Sequence, residues 1–336
     1  MLCVASTIKD DLSNVRWYVE QNLANSVDHL IIFLDAPTEP SQQAVAEYLE
    51  QHHHVTLVLA DDAWWMGDRP QKLNVRQCIN ANVAKYALSQ LTSCDWLFHL
   101  DGDEILQVDR HVLDGLDRGI EAVQLEPLES VSTASGPERP VWFKRPLLEA
   151  ELELLQVLGV IGQPTNRDYF HGHLQGKAGV RPAAKVWLTL HRAVDKSRKA
   201  VAPFRHAHLQ HLHYESHSAD EFIRKWTALV GSGPSASFRP GRARTARALW
   251  ALIGKDLPQE TLEKMLLRIY ERTTEDDVET LRDLDLLVNR DPTKGDHVPQ
   301  PFADSELDRM STRMEKLRRE PKGEFFHGTA PAKSDQ

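Results

Sequence analysis

Along the first third of the chain, apolar runs of strand length alternate with stretches of helical spacing. "LCVAST" reads as a short buried strand, and "LSNVRWYVEQNLANS" places Val15, Tyr18, Val19 and Leu23 at helical intervals. "HLIIFLDA" is an apolar strand that ends on Asp35, and "SQQAVAEYLEQH" opens with a serine N-cap and continues as a helix. "VTLVLADD" is a third strand, closing on Asp61 and Asp62. A long helix is predicted from about Gln71 to Leu91, with Val75, Ile79, Val83 and Leu88 near one face. "DWLFHL" then reads as a strand and delivers Asp101. Strands alternating with helices imply βαβ units and a mostly parallel sheet covered on both faces. Ligands of such sheets bind at the carboxyl ends of the strands, and Asp35, Asp61, Asp62, Asp101 and Asp103 all fall there.

After Ile105 the rhythm changes. "AVQLEPLESV" and "PVWFKRPLL" suit strands of a less regular sheet, and "LLEAELELL" reads as an amphipathic helix. Residues 164–182 are polar and glycine-containing and read as a loop, whereas "KVWLTLHRA" and "FRHAHLQHLHYES" are strand-like. From about Ser218 to Arg319 the spacing is helical, and "PKGEFFHGTAPAKSDQ" has the composition of a disordered tail. The expected organisation is an α/β catalytic domain over 1–217, a helical subdomain over 218–320 and a tail over 321–336.

Composition narrows the function classes. A formal net charge of -9 disfavours generalised nucleic-acid binding. No apolar run is long enough to span a bilayer, and "MLCVASTIKDD" lacks the pattern of a secretory signal. The three cysteines, Cys3, Cys78 and Cys94, are scattered without metal-type spacing, which fits a reducing compartment. A cytoplasmic location is expected.

The stretch "DWLFHLDGDEIL" carries the sharpest chemistry, because three carboxylates (Asp101, Asp103 and Glu104) crowd the end of an apolar strand. Such a corner is either a solvated turn or a seat for a hard divalent cation, Mg²⁺ or Mn²⁺, with oxygen ligands. Asp35 and Asp61 could equally cap the helices that follow them, and Arg76 could pair with an adjacent acid on its helix. In "HGHLQGKAGVRP", Lys177 and Arg181 flank Gly179, with Gly176 just before; two cations on a glycine-rich loop suit a diphosphate. The "HHH" at 52–54 reads as a solvated loop. "RPGRARTARALWALIG" is basic at Arg239, Arg242, Arg244 and Arg247 and apolar further on, a pattern of a solvated helix or of one touching a membrane surface or anionic acceptor.

Three blocks, in order, resemble the metal-dependent nucleotide-sugar glycosyltransferases of the GT-A fold, in their family 2-like group. They are "TIKDDLSNVRWYVEQNLANSVDHLIIFLDAPTEP", "RQCINANVAKYALSQLTSCDWLFHLDGDEIL" and "HLHYESHSADEFIRKW", spread over residues 3 to 226. The resemblance implies a GT-A fold, a nucleotide-sugar donor (a UDP-sugar above others), a carbohydrate acceptor, an inverting reaction and a Mn²⁺ or Mg²⁺ cofactor. It implies that Asp103 binds the metal, that Asp101 meets the ribose or the metal through water, and that His213 completes the metal shell, with His211 the competing choice. Thr7, Asp11 and Asp35 match positions lining the base and ribose, and Arg76 and Gln77 match the helix before the D-x-D strand. Asp10-Asp11 stands where the family usually has Asn-Glu. Lys177 and Arg181 match a similar phosphate-side arrangement. Inversion needs a base for the acceptor hydroxyl, for which Asp168 is the candidate and Glu149, Glu151 and Glu153 are rivals. Two other classes compete: a sugar-phosphate nucleotidyltransferase and a non-catalytic sugar- or nucleotide-binding module.

Overall fold

The apolar runs of the N-terminal third become strands in the computed structural model, which describes residues 1–136, 139–231 and 240–326, apart from the side chains at 228–231 and 240–243. In chain order come β1 (Leu2–Ile8), α1 (Leu12–Asn25), β2 (His29–Asp35), α2 (Gln43–Glu50), β3 (Val55–Ala60), α3 (Asp62–Trp65), α4 (Leu73–Leu88), β4 (Trp96–His99), β5 (Glu104–Val108), α5 (Arg110–Asp114) and β6 (Ala122–Ser130). Next are β7 (Trp142–Lys144), α6 (Glu149–Val157), α7 (Asn166–Tyr169), β8 (Lys177–Val180), β9 (Trp187–Leu188), β10 (Ala193–Val194) and β11 (Phe204–His213). The rest is α8 (Ala219–Gly231), α9 (Pro240–Ile253), α10 (Gln259–Thr273), α11 (Val278–Asp283), β12 (Leu287–Asn289) and α12 (Asp304–Arg318). The chain divides into one compact unit of Met1–Pro127, Gln175–Leu212 and Pro292–Gln336, and a second of Leu128–Leu174 and His213–Asp291. No described helix is long and apolar enough to cross a membrane.

In the first unit, β4, β1, β2 and β3 lie side by side and parallel. β8 runs antiparallel to both β4 and β6 and continues the sheet on the other side. Both faces are covered. Cys3 and Ala5 of β1 join a core with α4, while Leu2 and Val4 join a core with α1 and α2. This double coverage is why β1 and β2 are buried throughout, with long apolar runs in place of a polar-apolar alternation. Each fully buried Leu, Ile, Val or Phe here contributes about 1.5–3 kcal/mol relative to exposure. α4 is buried on nearly every side, from Arg76 through Lys85 and again at Ala87 and Leu88. Its outer flank is covered by Met310, Met314, Leu317 and Phe325, which share its core. The Asn82 side chain there donates to the carbonyls of Leu188 and Phe325 at 2.9 and 3.1 Å.

The second unit holds β7 between β12 and the last residues of β6, all antiparallel, with Glu129 opposite Lys144 and Ser130 opposite Phe143. α8, α9 and α10 pack around Phe222, Trp226, Leu249 and Tyr270.

Three expectations are corrected. The helical stretch over 218–320 is not one body, since α8 to α11 fall in the second unit and α12 in the first. Residues 321–326 are ordered: Gly323–Phe325 form a 3-10 turn, and Phe325 is buried because its ring joins the α4 core. The stretch 164–182 contains α7 and β8, so Lys177 and Gly179 lie on a strand rather than a loop. Arg239, and the side chain of Arg242, lie outside the described residues.

Candidate functional site

The parallel register sets Thr7 opposite Phe33 and Ala5 opposite His99, so the ends of β1, β2 and β4 share one edge of the sheet. Asp35 closes β2 there and is buried, a costly place for a carboxylate without compensation. Arg76 Nη2 donates to Asp35 Oδ2 at 2.7 Å, and Arg69 Nη2 to Asp35 Oδ1 at 2.8 Å. Arg76 is thus paired across the fold, not with a neighbour on α4, and its Nη1 also donates to the carbonyls of Pro70 and Gln71. One turn further along α4, Asn80 Nδ2 donates to Thr7 Oγ1 at 2.9 Å. The backbone leaves Asp35 through Ala36, a non-glycine residue at φ 55, a strained geometry of the kind that gathers at binding edges.

Beside this lies the acidic corner. Gln77 Nε2 donates to Asp101 Oδ1 at 2.5 Å, and Lys177 Nζ to Asp101 Oδ2 at 2.6 Å. Lys177 also lies 3.2 Å from Glu104 Oε2, which accepts the backbone N–H of Asp101 at 2.8 Å. Glu104 Oε1 lies 3.3 Å from His211 Nε2. Burial disfavours the Lys177 ammonium, but Asp101 and Glu104 outweigh it and hold its pKa above the ordinary lysine value. His211 Nδ1 is buried with no hydrogen-bond partner among the described residues.

The structure therefore brings Thr7, Asp35, Arg76, Gln77, Asp101, Lys177 and His211 into this unit's carboxyl edge and ties them together in pairs. It treats others differently. Arg181 packs over the Trp96 ring at 4.4 Å and donates to the carbonyls of Ile120 and Leu116. Trp96 begins β4, so Arg181 sits at the strand end opposite Asp101 and cannot share a diphosphate with Lys177. The glycines beside Lys177 serve the sheet. A Cβ on Gly176, at φ +66, would overlap the Leu125 carbonyl oxygen, and one on Gly179 would overlap the Phe98 ring. Asp11 caps α1 by accepting from the Asn14 backbone N–H at 2.9 Å. Asp61 likewise caps α3, and Arg318 pairs with it at 3.0 Å.

In the second unit, Asp168 Oδ2 accepts the backbone N–H groups of Gly162 and Gln163 at 2.7 and 2.8 Å, clasping that turn. His213 Nε2 lies 3.5 Å from Glu215 Oε2, which Lys225 approaches at 3.1 Å. Ser216, next in line, sits at φ 52. A further network went unread in the sequence. Lys144, fully buried, lies 2.9 Å from Glu129 and 3.0 Å from Asp276, and His171 Nε2 meets the same Asp276 oxygen at 3.1 Å. Burial alone would raise the Asp276 pKa, but Lys144 and His171 pull it down to about 2. Charges at Glu129 and Lys144, each following an apolar residue on a strand, were the available signal.

No protein-family model and no curated protein matches the chain. Many solved structures are similar, three of them as follows. The galactosyltransferase LgtC, in complex with donor and acceptor sugar analogues, is 16% identical over 55% of this chain and 58% of its own, with a TM-score of 0.24. The chain thus spans less than two thirds of that protein. Residues 1–349 of TarS from S. aureus are 10% identical over 95% of this chain and 91% of that one, with a TM-score of 0.31. A protein described as a mannose-1-phosphate geranyltransferase, from Thermus thermophilus, is 11% identical over 82% and 71%, with a TM-score of 0.27. At these scores, function rests on the chain's own residues.

Proposed function

We propose that the protein is a divalent-metal-dependent, inverting glycosyltransferase of the GT-A type that moves a sugar from a nucleotide-sugar, a UDP-sugar above others, to a carbohydrate-type acceptor. What carries the reading is one observation: the carboxyl edge of a parallel sheet lined by Thr7, Asp35, Arg76, Gln77 and Asp101, each locked by a named partner. Nucleotides bind at such edges, where the strand order reverses between β1 and β4. Thr7, Asp35 and, at the start of α1, Asp11 line the base and ribose in this reading. Gln77 and Lys177 fix Asp101, so its carboxylate is aimed before the donor arrives and loses little entropy on binding.

In this reading Asp103 binds the cation, Asp101 meets the ribose or the metal through water, and His213 completes the shell, with His211 the competing histidine. The chemistry fits a hard or borderline divalent ion. So does the acidity of the strand end, where Lys177 lies against Asp101 and Glu104, and so does the buried Nδ1 of His211. When bound, such an ion stabilises negative charge on the departing diphosphate. Asp168 is the proposed proton acceptor for the acceptor hydroxyl; its solvent-facing position lets an acceptor approach.

The test is calorimetry of UDP with Mn²⁺ present, on the parent and on Asp103→Ala, paired with product analysis of UDP-sugar turnover. The reading expects metal-dependent UDP binding that Asp103→Ala abolishes with the fold intact, and release of a nucleoside diphosphate. Unchanged UDP affinity in the variant removes Asp103 from the site. Release of pyrophosphate from a nucleoside triphosphate marks a nucleotidyltransferase, and donor binding without turnover under any metal marks a binding module.

A further inference from the structure

A cleft of about 450 Å³ lies between α9 and α10 in the second unit. Its rim carries three guanidiniums, those of Arg244, Arg268 and Arg272, and its floor is Leu252, Met265 and Ile269. All three arginines are exposed, and among the described residues none has an ion-pair or hydrogen-bond partner for its side chain. Arg268 and Arg272 stand one turn apart on α10, an arrangement that destabilises a helix unless an anion lies between the charges. The chain as a whole is acidic, at -9, so this cationic rim is a local feature and not general basicity. The floor is apolar because Leu252 and Ile269 pack only partly against the Leu249, Leu266 and Tyr270 core, leaving their outer sides uncovered. Leu267 on α10 and Trp250 on α9 add exposed apolar area on the same helix pair.

A ligand matching both rim and floor carries an acidic group directly joined to an alkyl portion. We propose that the cleft takes the headgroup and first methylenes of an anionic phospholipid, docking the α9–α10 pair on an acidic bilayer. Arginines bind the phosphate as forks of donors, and the alkyl stem covers Leu252, Met265 and Ile269. Exposed tryptophan suits the headgroup level of such a surface. Because the membrane contact is monotopic and electrostatic in part, it is reversible and weakens with salt.

The experiment is flotation of the full chain with vesicles of phosphatidylcholine alone and with phosphatidylglycerol added, for the parent and for the double variant Arg268→Gln/Arg272→Gln. The parent should float with the acidic vesicles and not with the neutral ones, and the double variant should bind them roughly tenfold or more weakly. Both substitutions are at exposed positions, so an unchanged thermal midpoint confirms the fold and leaves the comparison valid. Equal flotation with neutral vesicles, no flotation of the parent, or undiminished binding by the variant overturns the proposal. Binding of micelle-free dihexanoyl phosphatidic acid without any vesicle binding also overturns it, assigning the cleft to a free amphiphile. None of these outcomes depends on donor binding at the other unit's carboxyl edge.

Discussion

Lys177 Nζ stands 2.6 Å from Asp101 Oδ2 and 3.2 Å from Glu104 Oε2, so one strand lysine already neutralises part of the acidic corner. Both Lys177 and Glu104 are buried, and the pair cannot borrow water to spread its charge. Lys177→Met is therefore expected to cost about 3–5 kcal/mol, the penalty of leaving a buried carboxylate uncompensated. Urea unfolding measures it directly. A loss under about 1 kcal/mol means that the corner is wetter than this packing allows.

The two histidines of β11 can be separated. His211 faces Glu104 in the first unit, and His213 faces Glu215 in the second. In a Mn²⁺ titration, His213→Ala should weaken metal affinity roughly 10-fold or more while His211→Ala changes it less. The reverse order gives the ligand role to His211. No effect from either takes histidine out of the metal shell.

Gly176→Ala should destabilise the protein by roughly 2 kcal/mol or more, combining the left-handed backbone penalty with an overlap at the Leu125 carbonyl. Because Lys177 follows at once, UDP affinity should fall in the same variant. A normal melting midpoint would show that the turn relaxes at no cost.

His29 gives a pH signature. Burial, aided by His54 and His52, lowers its pKa from 6.5 to about 3. The folded state thus disfavours the protonated form, so the unfolded chain binds the proton first. The stability contribution is present in full above pH 6.5 and is lost as pH falls towards 3. Between pH 7 and 5 the loss from this one group is roughly 2 kcal/mol. His29→Gln, which keeps a polar partner for Thr56 Oγ1, should flatten that part of the pH dependence of chemical unfolding. An equally steep profile in the variant assigns the effect elsewhere.

The sequence made β1, β2, β3 and β4 legible, because buried parallel strands are apolar on both faces and need no partner to be recognised. It also pointed to Asp35 and Asp101 as strand-end acids. It could not show that Arg76 crosses 41 residues to reach Asp35, or that Lys177 belongs to a strand. Those pairings arise from register, and "GKAGV" carries too few apolar residues for a strand to stand out from a loop. α4 misled for a related reason. A helix covered all round shows no clean polar stripe, so Val75, Ile79, Val83 and Leu88 marked only one of its buried sides. The network of Glu129, Lys144, His171 and Asp276 showed in the sequence only as two charges on strands, because its four members come from far-separated segments with no local spacing.

The return of residues 292–326 to the first unit gives the protein a late-closing lock. Until Met310, Leu317 and Phe325 leave the ribosome, α4 keeps a bare greasy flank, and Asn82 waits for the Phe325 carbonyl. Arg76 and Gln77 ride on that same helix, so the sheet edge they line stiffens only once residues 292–326 have been made and have docked.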